Sequence, residues 1–112
     1  MCIDSTYDGE SFARPWVIRD NGTYKMWFSV RGPIRYREKD GQHYMLDYAE
    51  SLDGENWKRK PKEFHFTTSE AGWDSEMIEY ASITKYNGKY YMLYNGNQFG
   101  KTGFGYAIRE EE

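Results

Sequence analysis

One cysteine, two histidines and no long apolar run set the first limits on this chain. A single thiol, Cys2, excludes an intrachain disulfide. His43 and His65 lie far apart and no metal-ligand spacing is present, so no metal and no cofactor is expected. No stretch approaches the length of a membrane span. Basic residues do not outnumber acidic ones. The 15 Lys and Arg against 18 Asp and Glu leave a net charge of −3, which argues against nucleic acid or an anionic membrane as the partner. Met1 to Arg14 is polar and lacks the apolar core of a signal peptide, so the expected location is cytoplasmic. No 3.6-residue period runs long enough for a stable helix. The glycine-rich stretch Gly100 to Gly105 lacks the Gly-Lys-Ser/Thr ending of a phosphate loop.

What the chain does have is aromatic residues and a repeat. Aromatics make up 19% of its 112 residues, enough to build a core and still leave polar tips at a wet surface. Tyr7-Asp8-Gly9-Glu10 through Gly22-Thr23-Tyr24-Lys25-Met26 returns as Trp73-Asp74-Ser75-Glu76 through Gly88-Lys89-Tyr90-Tyr91-Met92. The offset is 66, from Asp8 to Asp74 and again from Gly22 to Gly88. Asp8/Asp74, Glu10/Glu76, Asn21/Asn87, Tyr24/Tyr90 and Met26/Met92 are identical across it. Such a repeat is a supersecondary unit that stacks on its neighbours.

Each unit reads as β-structure. Pro15 to Asp20 and Thr23 to Val30 flank Asn21-Gly22; Ala81 to Tyr86 and Lys89 to Asn95 flank Asn87-Gly88. Asn-Gly between two such runs signals a hairpin, because both turn residues need a positive φ. Third strands follow at about Tyr44 to Ser51 and Phe104 to Ile108, now at offset 58 from Tyr48 to Tyr106. Asp53-Gly54 marks a turn, after which Trp57 opens a fourth strand. The fold class expected is all-β, with two four-stranded antiparallel blades of propeller type. The single domain 1–112 divides into blade one at about 7–60, a linker at 61–72 and blade two at about 73–108. The second blade lacks a fourth strand, which Cys2 to Thr6 or a partner chain is expected to supply.

Arg14-Pro15-Trp16-Val17-Ile18, Tyr24-Lys25-Met26-Trp27-Phe28-Ser29, Tyr48-Ala49-Glu50-Ser51-Leu52-Asp53-Gly54-Glu55-Asn56-Trp57, Gly72-Trp73-Asp74-Ser75-Glu76-Met77 and Tyr91-Met92-Leu93-Tyr94-Asn95-Gly96-Asn97 carry a resemblance. They resemble the blade motifs of the five-bladed β-propeller glycoside hydrolase superfamily, which contains arabinanases, xylosidases, invertases and levansucrases. The likeness covers about residues 7 to 108 and is to the C-terminal two blades of glycosidase-like members. It implies three carboxylates converging on a central channel from three blades: a base or nucleophile, a pKa-tuning Asp and a general acid Glu. The chain departs from that pattern. Arg14 stands before Pro15 where the family commonly has the basic Asp, and Glu79-Tyr80-Ala81 replaces the acid's Glu-x-Pro.

Glu79 is the candidate general acid, since Ala13 takes its place in the first unit and a catalytic residue should break the repeat. The plain alternative is a strand-end charge. Arg14, Asp74, Glu76, Tyr80, Asn95 and Asn97 are the candidate substrate-binding residues. Arg14 would bind a ligand's carboxylate or phosphate, or else pair internally with Asp8 or Glu10. Asp74 and Glu76 recur at the places of Asp8 and Glu10, which suits a repeated structural role as well as sugar contacts. Tyr80 is a stacking platform for a sugar, and the tryptophans are mostly core between blades. Asn95 and Asn97 open the glycine-rich loop.

Two blades leave open sheet faces and edges, so homo-oligomerisation as a trimer or dimer is expected. The function expected is a carbohydrate-binding or glycosidase-like fragment that self-assembles without full catalytic machinery. The alternatives are a non-catalytic assembly protein and a glycoside hydrolase whose active site forms between subunits.

Overall fold

The computed structural model describes residues 3, 9–32, 43–60, 68–70, 72, 74–75, 77–101 and 103–110. Among these there is no helix, and all regular structure is β. Strands β1 (Ser11–Asp20), β2 (Thr23–Arg31), β3 (Met45–Ser51) and β4 (Lys58–Arg59) form one antiparallel sheet in the order β1-β2-β3-β4. Strands β5 (Glu79–Tyr86), β6 (Lys89–Asn95) and β7 (Phe104–Glu110) form a second, three-stranded one. The fold class read from the sequence is therefore the one observed. The fourth strand of the first sheet begins at Lys58, one residue after Trp57. Cys2 and Asp4 to Thr6, the strand expected to complete the second sheet, lie outside the described residues. Ile3 packs against the first sheet instead, on the cluster of Met26, Phe28 and Ala49.

Both hairpins turn on Asn-Gly. Asn21 and Gly22 have φ of 51° and 80°, Asn87 and Gly88 of 50° and 74°. Positive φ at both turn positions gives the twist that right-handed strands need. Each hairpin also carries the same bulge. Ala13 pairs with Ser29 and Trp16 with Trp27, so Arg14 and Pro15 together face Phe28. Glu79 pairs with Asn95 and Ser82 with Leu93, so Tyr80 and Ala81 together face Tyr94. Two residues against one bends the strand and re-aims the side chains beside it. A bulge also tolerates Pro15, whose ring has no N–H for the ladder. The strands reach further back than the sequence suggested, to Ser11 and Glu79, because the ladder resumes beyond the bulge.

The sheets stack face to face. Trp27, Leu46 and Tyr48 of the first pack on Ile83, Tyr90, Met92 and Tyr94 of the second. Side chains alternate across a strand, and the two sheets treat that alternation differently. In β2, Met26 and Phe28 are buried on one face and Trp27 on the other, so this strand is covered on both sides. In β6, Tyr90, Met92 and Tyr94 are buried while Leu93 is half exposed. Leu93, Phe104, Tyr106 and Ile108 leave the outer face of the second sheet apolar and open.

Polar contacts fix the stacking at both ends. At the hairpin end, Lys85 Nζ donates to Asp20 Oδ1 at 2.8 Å, the Tyr90 hydroxyl donates to Asp20 Oδ2, and Lys25 Nζ donates to the Tyr90 oxygen at 2.8 Å. Midway, Trp16 Nε1 donates to the Ile83 carbonyl at 3.0 Å. At the bulge end, the Tyr80 amide donates to Ser29 Oγ at 2.9 Å.

Candidate functional site

The two bulges bring Arg14 and Tyr80 to the same end of the molecule. These are equivalent residues in the repeat, and both hold positive φ, 51° and 56°. For residues that are not Gly, Asn or Asp, that conformation costs on the order of 1–3 kcal/mol and persists only where the surroundings impose it. The Arg14 guanidinium lies 5.5 Å from the Tyr80 ring centroid. The Tyr80 ring lies 5.7 Å from Tyr44, whose other side meets Phe99 at 6.0 Å. Arg31 stands 5.8 Å over Tyr44. Arg14 is exposed, while Tyr80, Tyr44 and Phe99 are half-buried.

Glu79 precedes Tyr80 at the start of β5 and lies beside this aromatic rim. Its side chain has no exposure at all, and neither carboxylate oxygen has a hydrogen-bond partner among the described residues. Burial pushes its pKa up to about 7; Tyr80 is close enough to pull it partly back without forming an aligned hydrogen bond. A buried carboxyl with no partner holds its proton to higher pH than an exposed one, because ionisation in a low-dielectric surround is costly. Tyr80 is raised in turn, first by burial, then by the charge of Glu79 and by Tyr44, with Arg14 acting the other way. Glu79, Tyr44 and Arg14 all lie within electrostatic reach of Tyr80.

The other candidates are held internally or lie elsewhere. Asp74 is buried and accepts a 2.8 Å hydrogen bond from the Tyr94 hydroxyl. Asn97 ties down the segment before β5: its Oδ1 accepts from the Met77 amide at 3.0 Å, and its Nδ2 donates to the Gly72 carbonyl and to Ser75 Oγ. Asn95 closes β6 opposite Glu79 and packs where a side chain on Gly100 would have to go. Glu76, Asp8, Trp73 and His65 lie outside the described residues. Arg14 does not pair with Glu10 as one expectation held. Arg59 takes Glu10 at 2.7 Å and Asp47 at 2.5 Å, with its guanidinium over Phe12 and Phe28.

Trp27 is core, as expected of most tryptophans here, and Trp57 is bound to its own turn through the Gly54 carbonyl. That turn is held by Asp53, which accepts from the amides of Glu55 and Asn56 and lies well below the usual carboxylate range for that reason. A recess of about 460 Å³ lies beside it, lined by Thr23, Glu50, Ser51, Leu52, Asp53, Asn56, Lys58 and Lys60. It is at the hairpin end of the first sheet and does not touch the Glu79 rim. No cluster of His, Cys, Asp and Glu able to hold a metal occurs among the described residues.

Tyr44, Phe99, Arg31 and Ser29 at this end, and Asp20 at the hairpin end, were not singled out from the sequence. Tyr44 gave no signal beyond an aromatic at a strand start. Ser29 was legible in principle, as the repeat partner of Asn95. Asp20 was hidden because its repeat equivalent is Tyr86, so the offset marks it only by its absence.

No protein-family model matches the chain. It is 39% identical over 103 residues to the uncharacterized protein Rv1502 of Mycobacterium tuberculosis, covering 92% of this chain and 31% of the relative. A second Mycobacterium tuberculosis protein, MT1551, matches to the same extent. The chain thus spans about a third of the length of the curated relatives it matches. Among solved structures it is similar to a glycoside hydrolase, with a TM-score of 0.77 and 18% identity, covering 99% of this chain and 36% of the other. It is also similar to a solved BT0996 RGII complex, with a TM-score of 0.74 and 17% identity over the same shares. The chain has a glycosidase-like fold.

Proposed function

We propose that this chain is a carbohydrate-binding, glycosidase-like part of a β-propeller, with Glu79 as its proton donor. The observation that carries this reading is the Glu79 carboxyl, fully buried, without a hydrogen-bond partner among the described residues and pushed up to about 7. A general acid works best with a pKa near the working pH, and burial is the usual means of raising a glutamate there. Glycoside cleavage needs a second carboxylate across the scissile bond. That group would come from another blade or subunit. Arg14 and Tyr80 are the parts of the proposed binding set that face outward; Asp74 and Asn97 act by holding the loop before β5.

The test is hydrolysis of a broad glycan panel by the wild type and by Glu79→Gln. Loss of at least about 100-fold in rate with the fold retained supports the assignment. A wild type inactive on every glycan removes the catalytic role.

A second reading, self-assembly, rests on the open face of the second sheet. Leu93, Phe104 and Tyr106 occupy the repeat positions of Trp27, Leu46 and Tyr48, the residues through which the first sheet is covered by the second. The open face therefore has the pattern of a face that another blade covers, and we take a second copy of this chain to be its occupant. A protein that assembles in this way without cleaving or binding any glycan would be a non-catalytic assembly protein.

A further inference from the structure

We infer that the rim beside Glu79 takes a sugar bearing an anionic group, with Arg14 as the charge partner of that group. This goes beyond the proposed carbohydrate site and rests on it.

The cations that tie the fold together are satisfied by carboxylates. Arg59 is shared by Glu10 and Asp47, Lys25 and Lys85 meet on Asp20, and Lys60 pairs with Glu50. Arg14 is not among them. Like Arg19 over Tyr24, it is exposed, lies over a tyrosine ring and pairs with no carboxylate among the described residues; unlike Arg19, it stands over the ring that continues into the Tyr44 and Phe99 cluster.

Its position is also unusual. The bulge holds it at φ 51°, a conformation that glycine or asparagine would adopt more readily. The repeat does not explain the arginine, since Tyr80 fills the same place in the second unit. The Arg14 guanidinium lies within cation–π distance of the Tyr80 ring. A planar guanidinium binds a carboxylate through two parallel hydrogen bonds, and binds a sulfate or phosphate oxygen pair in the same way. Tyr80, Tyr44 and Phe99 then offer aromatic surface to the C–H face of the same sugar. Glu79 does not oppose an incoming anion while it keeps its proton, which its full burial favours.

Calorimetric titration with oligosaccharides of equal length tests the inference. The probes are an oligogalacturonate, its neutral methyl ester and a sulfated neutral oligosaccharide. We expect the wild type to bind an anionic probe about 10-fold or more tightly than the ester. Preference for the galacturonate identifies the group as a carboxylate, and preference for the sulfated probe as a sulfate. In Arg14→Gln the ratio of acid to ester affinity should fall to about one, whatever the change in overall affinity, with the fold checked by circular dichroism. Arg14→Lys keeps the charge without the fork and should retain only part of the preference. Equal binding of acid and ester, or a preference that survives Arg14→Gln, overturns the inference and leaves the carbohydrate site standing. Failure of all three probes to bind overturns both.

Discussion

Arg14 and Tyr80 are the same residue of the repeat, and they touch: the guanidinium of one lies 5.5 Å from the ring centroid of the other. Each is lifted out of its ladder by the same bulge and held at a positive φ. The site therefore lies on the seam between two sheets, and its geometry depends on how they stack.

Glu79 gives the chain a pH dependence of known sign. Its folded pKa, about 7, is above its ordinary value of 4.5. The folded state thus holds the proton more tightly than the unfolded chain. The stability that Glu79 contributes is fully present below about pH 4.5, falls as pH rises towards 7, and is lost beyond. The full loss is up to about 3 kcal/mol. Urea midpoints from pH 4 to 9 should trace this fall, and Glu79→Gln should flatten it. If the Gln variant keeps the same slope, another group is responsible.

Asp20 acts at acid pH and in the opposite direction. Its carboxyl is held down to about 2 from an ordinary 3.8, first by Lys85 and then by Tyr90. The stability it contributes is complete above about pH 4 and is lost as pH falls through 2. Thermal melts between pH 5 and 2 should show this loss in the wild type. Asp20→Asn should melt lower at neutral pH and lose less on acidification.

Arg59 carries two carboxylates at once. Arg59→Ala should destabilise by about 3 kcal/mol, because it leaves the buried Asp47 without its cation. Arg59→Met retains the packing on Phe12 and Phe28 and separates the charge from the stem. If the two variants unfold at the same denaturant concentration, the contribution is purely ionic.

Tyr94 and Asp74 are paired in the core. Burial first and then Asp74 push the Tyr94 hydroxyl far above its ordinary pKa. Tyr94→Phe should cost about 1–3 kcal/mol, as the cost of stripping a buried acceptor of its donor. Asp74→Asn keeps an acceptor and should cost less. The reverse order in chemical denaturation would mean that Asp74 has another essential partner.

The open face is tested by charge. Leu93→Glu lies on the outer face of β6 and should change folding stability by no more than about 0.5 kcal/mol. It should nonetheless abolish self-association, read as mass by light scattering after size exclusion. A wild-type monomer at all concentrations rules out a second copy as the occupant.

The β-strands were legible because two independent signals coincided: Asn-Gly at each turn, and the same aromatic alternation 66 residues apart. The bulge was not, since nothing in Arg14-Pro15 or Tyr80-Ala81 requires a positive φ. Proline disfavours the helical region for Arg14 without choosing the left-handed one. Glu79 was found by its asymmetry against Ala13, yet its burial could not be read, because that depends on tertiary packing that leaves no local pattern in the sequence. Arg59 and Asp20 were missed for a common reason. Their partners are distant in sequence, within the first sheet for Arg59 and across to the second for Asp20, and such pairing leaves no local pattern.

The clamp at the hairpin end has a direction. The first unit supplies the acid, Asp20, and the second supplies the cation and phenol, Lys85 and Tyr90. The first unit owns an equivalent pair, with Arg19 5.6 Å over Tyr24, just as Lys85 stands 5.6 Å over Tyr90. The second unit has no equivalent acid; Tyr86, largely exposed, stands where Asp20 does. The two sheets are thus not interchangeable links, because one can hand a carboxylate forward and the other cannot. The seam between these two sheets carries an address as well as a shape: with their order exchanged, the phenol of Tyr86 would stand where a carboxylate is needed.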